Sequence, residues 1–277
     1  MCCYRYINRG ADIDTSNRLV SVFLRYKAYP LTLSVTTQRL AKWIAQSGYC
    51  SRRAAERLIT QGIVSCNGQL GKHTDLVGNA DTITIAGTPL PAQAQPRYML
   101  YHKPIGIDCN NRLNDPASLY QLLKTLPQRL FAVGRLDKDS SGLLLLTNDG
   151  ELSQRLMHPD YYHEKIYKVD VDKDISAEFI QKMADGVSWQ LGETQYHSRP
   201  CLVQQNTTRQ FNITLTQGLH RQIRYMCKTL GYRVTALQRL SLHNLKLGNL
   251  AVGELRELRC AELTQLQALS LLPQPKA

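Results

Sequence analysis

Nowhere in this sequence do eighteen apolar residues run together, so it offers no candidate for a membrane-crossing helix and is expected to be soluble, with no membrane partner. Acids are scarce: 34 Lys and Arg stand against 22 Asp and Glu, leaving a formal net charge of +12. Between Thr194 and Gly253 acids vanish altogether, while Arg199, Arg209, Arg221, Arg224, Lys228, Arg233, Arg239 and Lys246 remain. A one-signed zone of that length calls for an anion, and the whole-chain surplus favours nucleic acid over a membrane surface. The eight cysteines form no C-x-x-C pair, and no histidine is spaced to complete a zinc set. No metal is therefore expected, and the thiols read as unpaired in a reducing cytosol. The first 36 residues lack a helical period, and they also lack the charged start, apolar middle and small-residue cleavage site of a secretory signal. They are expected to be poorly ordered, or an extension foreign to the native protein.

What is present divides into two regions. From Gln38, Leu40, Trp43 and Ile44 recur at helical spacing up to Gly48, and a second helix opens on Ser51 as N-cap and closes at Gly62. Asn67-Gly68 marks a tight hairpin, and Asp81–Gly87 alternates as a strand should. This unit is assigned to residues 37–90. Three prolines follow within a few residues, which makes 91–97 an extended linker. The remainder, 98–272, mixes short strands and helices without regular βαβ alternation, so the fold class is α+β, an antiparallel-rich sheet covered by helices. Across the two small helices Arg39, Lys42, Arg52, Arg53 and Arg57 oppose the single acid Glu56. Such a face is either an RNA-phosphate surface or a solvated exterior, and its one-sidedness favours RNA.

The stretch GRLDKDSSGLLLLTNDG, residues 134–150, poses the central question. Asp137, Asp139 and Ser141 imitate the opening of a calcium loop, but its twelfth position falls on Asn148 instead of a bidentate Glu, and no paired helices flank it. If LLLL is a buried strand, Asp137 sits at a strand end near the sheet core, where an acid costs desolvation unless paired. Arg224 is a natural partner: with Arg221 and Lys228 it shares one face of a helix at i, i+3 and i+7. A structural ion pair and an ionised nucleophile are equally compatible with this. In KIYKVDV, Tyr167 alternates with Val169 and Val171, so it is either a core tyrosine or a platform for a displaced base.

Taken jointly, YHKPIG, GRLDKDSSGLLLLTNDG, KIYKV and GLHRQIRYM resemble, in content, order and spacing, the RsuA/RluB/RluE/RluF group of bacterial rRNA pseudouridine synthases. The segment QRLAKWIAQSGYCSRRAAERLITQGIVSCNG resembles the alpha-L RNA-binding domain of small-subunit ribosomal protein S-four. The match covers about residues 38–270, and the stretch from Leu215 to Gly248 is similar to the RluF branch in particular. The resemblance implies a cytoplasmic, monomeric isomerase that needs no cofactor and converts a uridine of 23S rRNA to pseudouridine. It assigns Asp137 as nucleophile, Tyr167 as the residue stacking on the flipped uracil, Arg224 as the partner of Asp137, and Arg135 as an aid to displacing the nucleotide. Lys103, Arg221 and Lys228 join the substrate-facing set. The same chemistry on a tRNA anticodon stem-loop or 16S rRNA, or a non-catalytic RNA-binding assembly factor, remains open as an alternative.

Overall fold

A computed structural model describes residues 37 to 268; the expectation for residues 1–36 lies outside them. Helix Leu40–Gln46 is followed by helix Arg52–Thr60, whose N-cap Ser51 accepts a hydrogen bond from the Ala54 amide at 3.2 Å. The hairpin Val64–Cys66 to Gln69–Leu70 turns on Asn67 and Gly68 with φ of 52° and 79°, the left-handed pair that a two-residue hairpin favours. Strand Ile83–Ile85 completes this small sheet, and Leu40, Ile44, Ala55, Ile59, Val64 and Val77 close its core. The linker carries no regular structure, yet it is pinned: the Ala94 amide donates to the Gln46 carbonyl and the Gln93 side chain to that of Trp43.

Beyond it lies one nine-stranded sheet. Its main path runs Leu202–Thr207, Gln210–Leu215, Lys165–Val171, Val234–Leu242, Ser141–Thr147, Tyr98–Lys103 and Leu255–Glu257. Only the Val234–Leu242 to Ser141–Thr147 pairing is parallel, with Arg239 opposite Gly142. The fold is α+β and rich in antiparallel pairs, as the sequence indicates.

The four leucines lie at the centre of this sheet. Alternate residues of a strand face opposite sides, so Leu143 and Leu145 join one core cluster while Leu144 and Leu146 join another. Both faces are covered, and all four side chains are 0% exposed. Gly142 just ahead of them is demanded by close approach. A Cβ there would stand 2.3 Å from the Arg239 carbonyl oxygen, and its φ of 112° belongs to glycine. Helices Gly150–Met157, Ala177–Asp185, Gln222–Thr229 and Cys260–Ala268 pack around the sheet. Their burial follows amphipathic spacing, for example Phe179 and Met183 against Phe211 and Val169. Among the described residues no helix is long and apolar enough to cross a membrane.

Candidate active site

Asp137 lies on the loop between strand Phe131–Val133 and strand Ser141–Thr147. That loop is fixed on several sides. Gly134 turns it with φ 70°, Leu136 buries its side chain and donates its amide to Cys109 Sγ at 3.4 Å, the Lys138 carbonyl accepts from the Gly106 amide at 2.7 Å, and Ser140 N bonds back to the Asp137 carbonyl at 3.0 Å. The half-buried Asp137 carboxylate therefore has a fixed backbone, and its side chain faces a cleft of about 540 Å³. Tyr167, Lys165, Arg135, Arg221 and Arg239 share that cleft. Asp137 and Tyr167 also line an adjoining pocket of about 110 Å³ closed by Leu215, Ile223 and Leu237.

The arginine beside Asp137 is Arg221, Nη1 to Oδ2 3.7 Å, and this corrects the expected pairing with Arg224. Arg224 donates instead to the Asp139 carbonyl at 2.9 Å and to Ser140 Oγ at 3.3 Å, and its Nη2 lies 3.3 Å from Asp139 Oδ2. Arg221 completes a fork on the same acid, with Nη1 and Nη2 at 3.1 and 2.9 Å from Oδ1 and Oδ2. The reason is spacing: Asp139 follows Asp137 across the tight Asp137–Ser140 turn and presents a second carboxylate to the helix start. Burial raises the Asp139 pKa, but hydrogen bonding from Arg221 and the charges of Arg224 and Arg221 outweigh it and hold the carboxyl below its usual range. Arg221 adopts left-handed backbone angles, φ 50° and ψ 31°, at the N-cap of helix Gln222–Thr229, an unusual conformation for a residue with a Cβ. It is the hinge by which the basic helix reaches the acidic loop.

Tyr167 stands on strand Lys165–Val171 where the register against Val234–Leu242 slips between Ile166 and Tyr167. A bulge of this kind re-aims side chains. Tyr167 is only part-buried: it packs against two core clusters and also lines the cleft.

The remaining expected residues divide. Arg135 is exposed at the cleft rim and donates to Asn110 Oδ1 at 3.1 Å. Lys103 is 0% exposed, donates to the Pro104 carbonyl at 2.8 Å and does not line the cleft; burial lowers its pKa, and the opposing charges of Cys109, Asp137 and Asp139 only partly offset this. Lys228 is exposed farther along its helix and does not line the cleft. On the small unit Arg52, Arg53 and Arg57 are exposed, Arg52 within 3.6 Å of Glu56, and Arg39 donates to the Thr74 carbonyl at 2.6 Å. Lys42 pairs with Glu151 at 2.5 Å in an ion pair at the surface. Sequence reasoning missed Asp139, Lys165 and Arg239 as members of the site. Asp139 was visible as the second acid of the loop, and Lys165 as the residue two before Tyr167; Arg239 lay in the acid-free zone with nothing to single it out.

Comparison with known proteins agrees with this geometry. The family model for RNA pseudouridylate synthase matches residues 97–229, and that for the S4 domain matches residues 38–72. The dual-specificity RNA pseudouridine synthase RluF of Salmonella typhi is 39% identical over 236 residues, 84% of this chain and 80% of the relative. The chain belongs to the RNA pseudouridine synthase family. Ribosomal large subunit pseudouridine synthase B of Bacillus subtilis is 35% identical, covering 84% of this chain and 97% of that protein. A solved pseudouridylate synthase superposes with TM-score 0.60 at 29% identity, covering 82% of this pseudouridine synthase and 99% of that chain. The enzyme is accordingly an RNA-modifying isomerase with an RNA-binding S4 domain.

Proposed function

We propose that this enzyme isomerises a specific uridine of 23S rRNA to pseudouridine, with Asp137 as nucleophile and Tyr167 stacked on the everted base. The observation that carries the reading is the meeting of Asp137 and Tyr167 in one cationic cleft, in a chain 39% identical to proteins named RluF. The reaction breaks the bond between ribose C1′ and uracil N1, turns the base, and joins C1′ to C5. C5 loses a proton and N1 gains one, so atoms balance and the overall change requires no oxidant, reductant or second substrate. Asp137 promotes the cleavage, by attack on the sugar or by accepting a proton on a route through a glycal. Tyr167 stacks on the displaced uracil and takes part in moving the C5 proton. Eversion costs a few kcal/mol of lost stacking and pairing, offset by the aromatic face and by phosphate contacts from Arg135 and Arg221 at the rim. Arg224 holds the acidic loop in place through Asp139 and Ser140.

Residues 37–90, through Arg39, Arg52, Arg53 and Arg57, supply the wider RNA grip, 91–97 connect, and 98–272 carry the chemistry. The enzyme works as a monomer in the cytoplasm. The words "dual-specificity" in the RluF names favour a second RNA class, for which a tRNA anticodon stem-loop is the candidate. Carbodiimide mapping of pseudouridine in total RNA from cells lacking the protein tests both. A single lost site in 23S rRNA is expected, joined by one in tRNA if the second class holds; an unchanged map would overturn the proposal.

A further inference from the structure

Two cations lie deeper in the cleft than the mechanism above requires. Arg239 is 2% exposed and Lys165 is 8% exposed, yet both line the same cavity as Asp137 and Tyr167. Arg239 Nε donates to the Leu143 carbonyl at 2.7 Å, while its Nη2 is buried without a hydrogen-bond partner among the described residues. Lys165 Nζ donates to the His163 carbonyl at 3.1 Å and has two further protons to place. Around them stand like charges and neutral rings. Arg239 approaches from the adjoining strand, and His163 and His243 pack edge to face behind Lys165, ring centroids 4.7 Å apart. Among the described residues no carboxylate bonds either cation; Asp137 faces Arg221, and Asp139 takes Arg221 and Arg224. Two buried cations without a counter-charge are costly, and the site is completed only by something electronegative entering the cleft.

Depth decides what that is. A backbone phosphodiester, which stays solvated along its strand, is matched by the exposed Arg135 and Lys138 of the cleft and not by the buried pair. The everted base reaches the floor. We propose that Lys165 and Arg239 form a cationic floor that receives the carbonyl oxygens of the target uracil and stabilises the negative charge gathering on the base as its glycosidic bond breaks. When C1′–N1 cleaves, the bonding pair leaves with N1 and is delocalised over O2 and O4, and donors already fixed in a dry cleft stabilise that charge with little reorganisation. After the base turns, C5 bonds to C1′, the C5 proton departs through Tyr167 to solvent, and N1 takes up a proton. This assignment rests on the pseudouridine-forming function and adds Lys165 and Arg239 to its catalytic residues.

The test uses the full chain with two transcripts of the mapped stem-loop, one carrying uridine and one 5-fluorouridine at the target. Fluorine lowers the basicity of the departing uracil and so lessens its need for the floor. Lys165→Met is expected to slow single-turnover loss of the original nucleoside by about 10²–10³-fold, the usual effect of removing one such donor. RNA affinity should stay within about twofold, and the defect on the fluorinated transcript should be at least about tenfold smaller. Burial and the neighbouring Arg239 push Lys165 down to about 8, so the wild-type rate should fall above about pH 8, while Lys165→Arg keeps its rate there. Arg239→Lys, which retains the charge, should keep partial activity if Arg239→Met fails to fold. Weakened RNA binding with normal turnover, or equal defects on both transcripts, would overturn the inference and leave the function standing. A wild-type chain inactive on every RNA would overturn both.

Discussion

Asp137 and Asp139 are two residues apart, and their surroundings give them different tasks. Asp139 is the anchor: it ties Arg221 and Arg224 to the loop, and its removal strands the part-buried Arg224 guanidinium, whose Nε already lacks a partner. Asp139→Ala should lower stability by about 1 kcal/mol, the low end for a lost charged hydrogen bond because Asp139 is itself half exposed. It should also slow turnover by roughly tenfold, since Arg221 is freed to close on Asp137; the denaturant midpoint and the single-turnover rate check the two effects. Lys165 works against stability. Its folded pKa of about 8 lies below the ordinary lysine value of 10.5, so between those pH values the unfolded chain binds more protons and stability rises with pH. Lys165→Met should therefore melt higher than wild type at pH 7, and that advantage should shrink as pH climbs from about 8 to 10.5. A lower melting temperature at pH 7 would show that Lys165 is paired in a way the geometry does not indicate.

Elements were legible where one chain segment contains its own reason. Ser51 capping its helix, the Asn67-Gly68 turn and the leucine strand bounded by Gly142 and Gly150 all express local rules, and the structure shows each. Missed elements lack such reasons. The hairpin Ser188–Leu191 to Thr194–His197 is mostly exposed, and edge strand Leu202–Thr207 buries almost nothing, so neither shows an apolar alternation. Over Ser118–Leu126 the chain forms only the short helix Tyr120–Leu123, held between turns at Ser118 and Thr125. The partner of Asp137 was illegible for another reason: helix periodicity groups Arg221, Arg224 and Lys228 on one face but cannot say which of two acids in a distant loop the helix start will meet. Gly142 gives the element scale its own test. Gly142→Ala should destabilise the protein by roughly 3 kcal/mol, because a strained φ and a clash with the Arg239 backbone coincide. It should cut activity as well, since Arg239 would shift in the cleft; an unchanged urea midpoint would contradict that packing.

For the molecule as a whole, composition identified the class of partner and could not show how each charge is used. The net charge of +12 implies RNA affinity that falls steeply with salt. Not every basic residue shares in it: Lys42 is matched by Glu151, whereas Arg53 and Arg57 are exposed. Arg53→Met should weaken RNA binding and flatten its salt dependence by about one charge, with the single-turnover rate at saturating RNA unchanged. Lys42→Met should change affinity less, a ranking read directly from binding curves at several salt concentrations. The most direct measurement is single-turnover pseudouridine formation by Asp137→Ala on the mapped RNA, with binding measured in parallel. Product should be absent while affinity stays within about tenfold, some 1.4 kcal/mol. Formation of pseudouridine at the wild-type rate would contradict a nucleophilic role for this carboxylate.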